Sequence, residues 1–431
     1  MNRTAARLAL AVLAPLAAAF AVELAARVWP GGAPTDTESA LLWVAGTRPA
    51  FVCDAAGSCR TDPGLVRLSN PDERFSARAS SGTFRVVCVG DSTTAGWPYQ
   101  PRGGYPEWLA LILRAALPRR RVEVLNLGIH AWDGARLETV FHQALGYEPN
   151  VLVVRFGYDD YPHFLLRRPR GGAPGRAGAR LRMFLLAHSA AFRILSRGLG
   201  PAPRRGIVAS PLVRLNADEE NALVDAHLRR LKAFAAAAKA SGVPLIALGL
   251  PHWDSFAPAF PGLGALARQQ AATAEISRAL NLPFAGLDDV PAREFIDLVH
   301  VDDRGEARIA RDVARALQRA GLPSETLWRW NRVPSDAALE KSLGLDEPEY
   351  RAHLESRLGL FFASHRMNGR AERHLESALL AAPNPDLVPE DLRRTGGPEI
   401  AALYRRALAR LRRAGKASDP LTEADRAFAG L

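Results

Sequence analysis

Three short apolar runs each end in glycine and are each followed by a stretch with helical spacing. They are TFRVVCVG at 83–90, VEVLNLG at 122–128 and NVLVVRFG at 150–157. Runs of this length, rich in β-branched residues and without polar alternation, read as strands buried on both faces. VPLIALGL at 243–250 and LPFAGLDD at 282–289 read as a fourth and fifth strand. Between and after them, 105–117, 133–145, 217–241, 262–280 and 302–320 carry apolar residues at helical intervals, with Asp133 at the start of the second. Alternation of this kind predicts an α/β fold with a parallel five-stranded sheet covered on both faces by helices.

The N-terminus constrains the compartment. Arg3 and Arg7 precede an apolar run from Leu8 to Val22, which continues through Leu24 to Val28 with Glu23 and Arg27 intruding, and Trp29-Pro30 closes it. About 20 helical residues span a bilayer core. Positive charge ahead of the run keeps the N-terminus inside and exports the rest. The favoured reading is an uncleaved transmembrane anchor in the inner membrane, with the main body in the periplasm or outside the cell. A cleaved signal peptide is the rival, given the small residues at Ala17 to Ala21. A buried N-terminal core helix is a third reading.

The cysteines bear on the same question. Cys53 and Cys59 flank a polar stretch, and a disulfide between them makes sense only in an oxidising compartment. The other reading is two unpaired surface thiols. Cys88 lies inside the first apolar run and reads as a buried free thiol.

The chain of 431 residues then divides into an anchor or signal segment (1–30), a linker and N-terminal extension (31–82), a main domain (83–321) and a helical tail (322–431). An insertion at about 161–212, containing RRPRGGAPGRAGARLR, interrupts the main domain. It reads either as a lid over the third strand's end or as a solvated surface insertion, with a short helix near Leu181 to Ser196. In the tail, Leu358-Gly359, Phe362, Gly369, Ala371, Ala378-Leu379 and Pro383 resemble one tetratricopeptide repeat, and 400–415 reads as a helix capping it. A lone repeat is too short for a stack, so packing on the main domain is expected, with a protein partner as the further possibility.

The formal net charge is +11, and the basic count is almost all arginine, with lysine only at 232, 239, 341 and 416. No basic stripe is interleaved with aromatics, which argues against nucleic acid. A phosphate-cradling P-loop is absent. His130, His142, His163, His188, His227, His252, His353, His365 and His374 stand on separate elements without a second ligand at metal spacing, so no metal is expected.

The chemistry lies at the glycine ends. Gly90-Asp91-Ser92 places a serine on a strand-to-helix turn, Asn126-Leu127-Gly128 offers a glycine amide, and Gly157-Tyr158-Asp159-Asp160 follows the third strand. Ligands in parallel α/β folds bind beyond the carboxyl ends of strands. Near the domain's end, Asp297 stands three before His300, a spacing that lets the carboxylate hold one ring nitrogen while the other takes a serine proton. Each piece alone has an ordinary reading: a loop serine, a helix cap. Their combination is specific.

This constellation resembles the SGNH/GDSL hydrolases over about 83–320. The resemblance implies a flavodoxin-like three-layer α/β/α sandwich with strand order 2-1-3-4-5, and ester hydrolysis or acyl transfer without metal or other cofactor. It implies Ser92 as nucleophile, His300 as base and Asp297 as its orienting carboxylate, with the amides of Ser92 and Gly128 serving the oxyanion. Gly90, Asp91, Gly157 and Asp160 support the motif. Asp159 stands where the family carries an asparagine that donates to the oxyanion. The substrate expected is an ester-bearing small molecule, carbohydrate or lipid. An acyltransferase of the same fold, and a non-catalytic envelope scaffold, are the alternatives.

Overall fold

The structure is a computed structural model that describes residues 18–29, 49–67, 70–167, 215–253, 263–287, 289–324, 328–364, 367–383 and 398–414. It also describes 181, 184–186, 188–199, 387–388 and 392. The linker at 30–48, the glycine- and arginine-rich part of the insertion and the last residues of the tail lie outside the described residues. So does the apolar run from Leu8 to Ala17. No helix among the described residues is long and apolar enough to cross a membrane.

The chain divides into two compact units, one of Met1–Ser92 with Leu125–Asp288, the other of Thr93–Val124 with Asp289–Leu431. In chain order the elements are β1 (Phe51–Cys53), β2 (Ser58–Thr61), β3 (Arg74–Ser76), β4 (Thr83–Gly90), α1 (Tyr105–Ala116) and β5 (Arg121–Gly128). Next come α2 (Gly134–Leu145), β6 (Val151–Arg155), α3 (Asp160–Arg167), α4 (Ala190–Leu199), α5 (Ala217–Ala240), β7 (Leu245–Leu248), α6 (Leu263–Ala279) and β8 (Phe284–Ala285). The helices α7 (Asp303–Arg319), α8 (Asp336–Leu343), α9 (Pro348–Ser364), α10 (Asn368–Ala381) and α11 (Pro398–Arg413) complete the chain.

The sheet order is β5-β4-β6-β7-β8, with β6 parallel to both β4 and β7, and β8 parallel to β7. The α/β fold with a five-strand parallel sheet is therefore as the sequence predicts. Val87, Val89, Leu152 and Val154 face one core, into which α2 and α5 send Phe141 and Phe234, stacked 4.2 Å apart. Val86, Cys88, Val151 and Val153 are buried too, so neither face of β4 or β6 meets water. Cys88 remains a buried thiol. Arg85, fully buried in β4, donates to the carbonyls of Ala77 and Tyr147, which offsets the cost of desolvating its charge.

Three strand predictions are too long, and the third strand, β6, stops at Arg155, short of the predicted Gly157. β7 covers only Leu245–Leu248, and beyond it Gly249 passes so close to the Gly286 carbonyl oxygen that a Cβ would meet it at 1.8 Å. The fifth strand shrinks to Phe284–Ala285, since Leu287 at φ 61° has left extended backbone. The region before β4 also has more structure than a linker. β1, β2 and β3 form an antiparallel sheet in which Cys53 faces Cys59, and the two are disulfide-bonded.

In the second unit α1 packs on α7, and the buried Glu306 accepts from the Tyr105 amide at 2.8 Å, satisfying one orphan donor of α1. The C-terminal region is helical. α9 and α10 approach closely at Gly359, where a Cβ would meet Leu375 at 2.8 Å. Leu358, Phe362, Leu375 and Tyr404 join α9, α10 and α11 in one core. Glu372 on α10 accepts from Arg406 and Arg410 on α11.

Candidate active site

The first unit gathers three of the predicted motifs. β4 and β6 run side by side with Gly90 opposite Arg155, and the Ile129 amide donates to the Gly90 carbonyl at 2.9 Å. Gly90-Asp91-Ser92, Gly128 and Gly157–Asp160 therefore share the carboxyl edge of the sheet. Ser92 opens the one-turn helix Ser92–Ala95 and is partly exposed, while Asp91 is buried. The Gly128 N–H, expected to serve an oxyanion, donates to Asn126 Oδ1 at 3.1 Å.

Gly157 has φ 139°, and a Cβ there would sit 2.9 Å from Leu250 and 3.3 Å from the His227 ring. Only glycine fits this turn, which leads into Asp159 and Asp160. Asp160 is structural: its Oδ1 accepts from the Gly134 amide at 2.9 Å, capping α2 from outside, and its Oδ2 lies 3.7 Å from His227 Nδ1. Burial works to raise the Asp160 pKa, but His227 and the Gly134 amide hold it below the ordinary value. Asp133 makes no capping hydrogen bond of its own at α2, so Asp160 does that work from the motif.

Asp159 behaves oppositely. Its Oδ2 is buried without a hydrogen-bond partner. Burial pushes its carboxyl well above the ordinary carboxylate range, and the nearby Asp91, Asp160 and Asp133 push it further, with Arg136 working against them. Arg136 is itself occupied. It lies 3.7 Å from Asp133 and 3.1 Å from His163 Nδ1, and it donates to the Ala131 carbonyl. Burial among three other aspartates favours the protonated form of this carboxyl.

The second unit holds the other half of the predicted set. Residues 294–302 form a tight hairpin, with an antiparallel bridge between Phe295 and Val301 and a 2.9 Å bond from the Ile296 amide to the His300 carbonyl. Glu294 at its base meets Arg308 of α7 through a two-pronged ion pair. Within the hairpin, Asp297 Oδ1 accepts from the amides of Val299 and His300, and Oδ2 lies 2.8 Å from His300 Nδ1. Burial works to raise the Asp297 pKa, but His300 and these amides hold it below the ordinary value. An ionised Asp297 fixes the ring proton on Nδ1 and leaves Nε2 as a proton acceptor.

Trp97 was not singled out in the sequence. Its ring centroid lies 4.6 Å from that of His300 and 4.6 Å from that of Phe361 on α9, so one flank of the imidazole rests on an aromatic pair. His227, which the sequence shows only as a histidine without metal partners, sits in the core. It is buried, bonded to Thr273 at 2.9 Å, and packed against Phe156 behind the Gly157 turn. A histidine ten residues into a long helix carries no local signal for that role. Among the described residues no group of three or more histidine, cysteine, aspartate or glutamate side chains is placed to hold a metal ion.

A parallel sheet in this order, with Gly-Asp-Ser on the turn after its second strand in space and an Asp-His hairpin before the last helix of the alternating pattern, defines the class of GDSL ester hydrolases. The pattern of the GDSL-like lipase/acylhydrolase family matches residues 88–308, just over half of the chain, and the chain belongs to that family. Among solved structures it is similar to a GDSL-like lipase from Parabacteroides merdae, at 16% identity and TM-score 0.38, covering 54% of this chain and 95% of that one. It is similar to a lipase/acylhydrolase from Enterococcus faecalis at 15% identity and TM-score 0.36, covering 55% and 96%. An acetylxylan esterase from Geobacillus stearothermophilus matches at 15% identity and TM-score 0.35, covering 54% and 93%. A search of curated proteins finds no match.

Proposed function

We propose that this chain is a membrane-anchored, extracytoplasmic serine esterase acting on ester-linked acyl groups of envelope carbohydrate or lipid. The observation that carries the catalytic part is the Asp297–His300 pair, 2.8 Å apart with the carboxylate held ionised. In this reading His300 Nε2 takes the proton of the Ser92 hydroxyl as Oγ bonds to the ester carbonyl carbon. The tetrahedral oxyanion is met by the amides of Ser92 and Gly128 and by a protonated Asp159. Collapse breaks the ester bond, and the imidazolium gives its proton to the leaving alkoxide. Water, deprotonated by His300, then releases the acyl group from Ser92 and restores the free serine.

Gly128 must turn its N–H from Asn126, or share it, to serve this role. The main domain would complete a three-layer flavodoxin-like sandwich, and the α9–α10 pair, with its repeat-like spacing, would offer a surface to a protein partner. The export reading is supported by the positive flank and apolar run of the N-terminus and by the Cys53–Cys59 bond, which an oxidising compartment preserves.

A second reading, a non-catalytic scaffold, is favoured by one feature: Asp159 replaces an amide donor while the Gly128 N–H is engaged elsewhere. Hydrolysis of a short-chain nitrophenyl ester decides between them. The esterase turns it over, labels with a fluorophosphonate, and loses both properties in Ser92→Ala. Absence of turnover and labelling in the folded wild-type protein would establish the scaffold.

A further inference from the structure

The exposed large apolar side chains of the described residues are not scattered. All but Leu280 and Leu380 lie in two stretches, 20–29 and 181–195. Phe20 is 71% exposed and Trp29 68%, while Phe184 and Leu195 are each 59% exposed. The first stretch belongs to a helix over residues 18–28, the second to the insertion and α4. Clustering of this kind marks a surface that is covered in use.

The two stretches, far apart in sequence, are joined by one side chain. Glu23 accepts from the Ser189 hydroxyl at 2.8 Å and from the amides of Ala190 and Ala191 at 2.9 and 3.1 Å. Arg27, one turn on, pairs with Glu23 and donates to the His188 carbonyl at 3.0 Å. Glu23 thus caps α4 from another part of the chain, supplying acceptors for donors that the helix start leaves orphaned. Held this way, α4 buries Ala190 and turns Ile194 and Leu195 outward.

What covers the patch follows from where the chain leads. Phe20 and Val22 close the uninterrupted part of the apolar run that begins at Leu8 and continues to Val28, together about 20 residues, the length of a bilayer core. Trp29, seven residues beyond Val22, is a residue type enriched at the membrane–water boundary. An amphipathic helix with an apolar outer face beside such a boundary is suited to lie in its plane. We propose that Glu23 docks α4 beside the anchor as an in-plane helix in the outer interface of the lipid bilayer, making this part of the insertion a membrane-facing collar. The collar rests on the anchored reading of the N-terminus.

The test uses the full chain in vesicles of phosphatidylethanolamine and phosphatidylglycerol. Separate variants Val12→Cys, Leu195→Cys and Leu280→Cys carry an environment-sensitive fluorophore, and spin-labelled lipids act as quenchers. Probes at 12 and 195 should be quenched by lipid, with 195 responding most to a shallow label, and the probe at 280 should stay in water. Glu23→Ala should reduce quenching at 195 at least threefold and leave position 12 unchanged. A dry position 12 with a wet position 195 overturns the collar and leaves the anchor standing. If both positions are wet, the anchored reading falls together with the collar. Quenching at 195 that is indifferent to Glu23→Ala overturns the docking role given to Glu23.

Discussion

Replacing Asp159 with asparagine separates two states that one carboxyl has to alternate between. An amide donates a hydrogen bond at every pH, and a carboxyl donates only while protonated. In the native protein burial, followed by Asp91, Asp160 and Asp133, raises the Asp159 pKa, while Arg136, shared with Asp133 and His163, lowers it. Wild-type activity should therefore fall on the alkaline side as this proton is lost. Losing one oxyanion donor costs about 10²–10³ in kcat. Asp159→Asn should abolish the alkaline limb and exceed the wild type by about that factor where Asp159 is ionised. Stability gives an independent readout. The folded state holds this proton more tightly than the unfolded chain, so wild-type stability declines as pH rises from the ordinary carboxylate range until the raised pKa is passed. Each tenfold tighter hold on the proton contributes about 1.4 kcal/mol to that decline. Asp159→Asn should flatten it. Initial rates on a short-chain nitrophenyl ester and denaturant unfolding, both followed from mildly acid to alkaline pH, supply the comparison. A variant with the wild-type rate and profile would show that Asp159 does not face the oxyanion. An inactive but folded variant would show that its carboxylate does something other than donate.

Asp297→Asn should keep the fold and lower kcat by about 10⁴, because the imidazole loses the partner that sets its tautomer; a loss under tenfold in steady-state assays would separate Asp297 from the chemistry. Trp97→Ala removes an aromatic contact worth about 0.5–1.5 kcal/mol, so kcat should drop about 2- to 10-fold with KM little changed. Gly157→Ala forces a side chain onto φ 139° and against Leu250, and should cost about 1–3 kcal/mol in denaturant unfolding. Cys53→Ser opens a short loop and should lower the stability of the oxidised protein by about 2 kcal/mol, a loss that reducing agent reproduces in the wild type.

The parallel sheet was legible because its central strands are continuous apolar runs, and such runs have few other homes. β1, β2 and β3 were not, since three or four residues carrying Asp54, Arg60 and Glu73 nearby give no periodicity to read. The Asp297–His300 contact was legible because both residues lie in one hairpin, three positions apart. Trp97 and His227 acquire their roles through partners tens to hundreds of residues away, Phe361 in one case and Thr273 in the other, and no local pattern encodes that. The competition between Asn126 and any substrate for the Gly128 N–H was hidden for a different reason: it depends on a side-chain rotamer within a motif already identified.

The ring of Trp97 leans on His300 from one side and on Phe361 from the other. A helical appendage at the end of a catalytic domain is often dispensable, free to be lost or exchanged as lineages diverge. This one is not free in that sense. A chain cut after α7 would retain Ser92, Asp297 and His300, but Trp97 would lose its backing and the His300 ring would lean on an unsupported neighbour. A protease or partner that reaches α9 is two ring contacts from His300, so on the esterase reading events in the helical tail have a physical path to the rate.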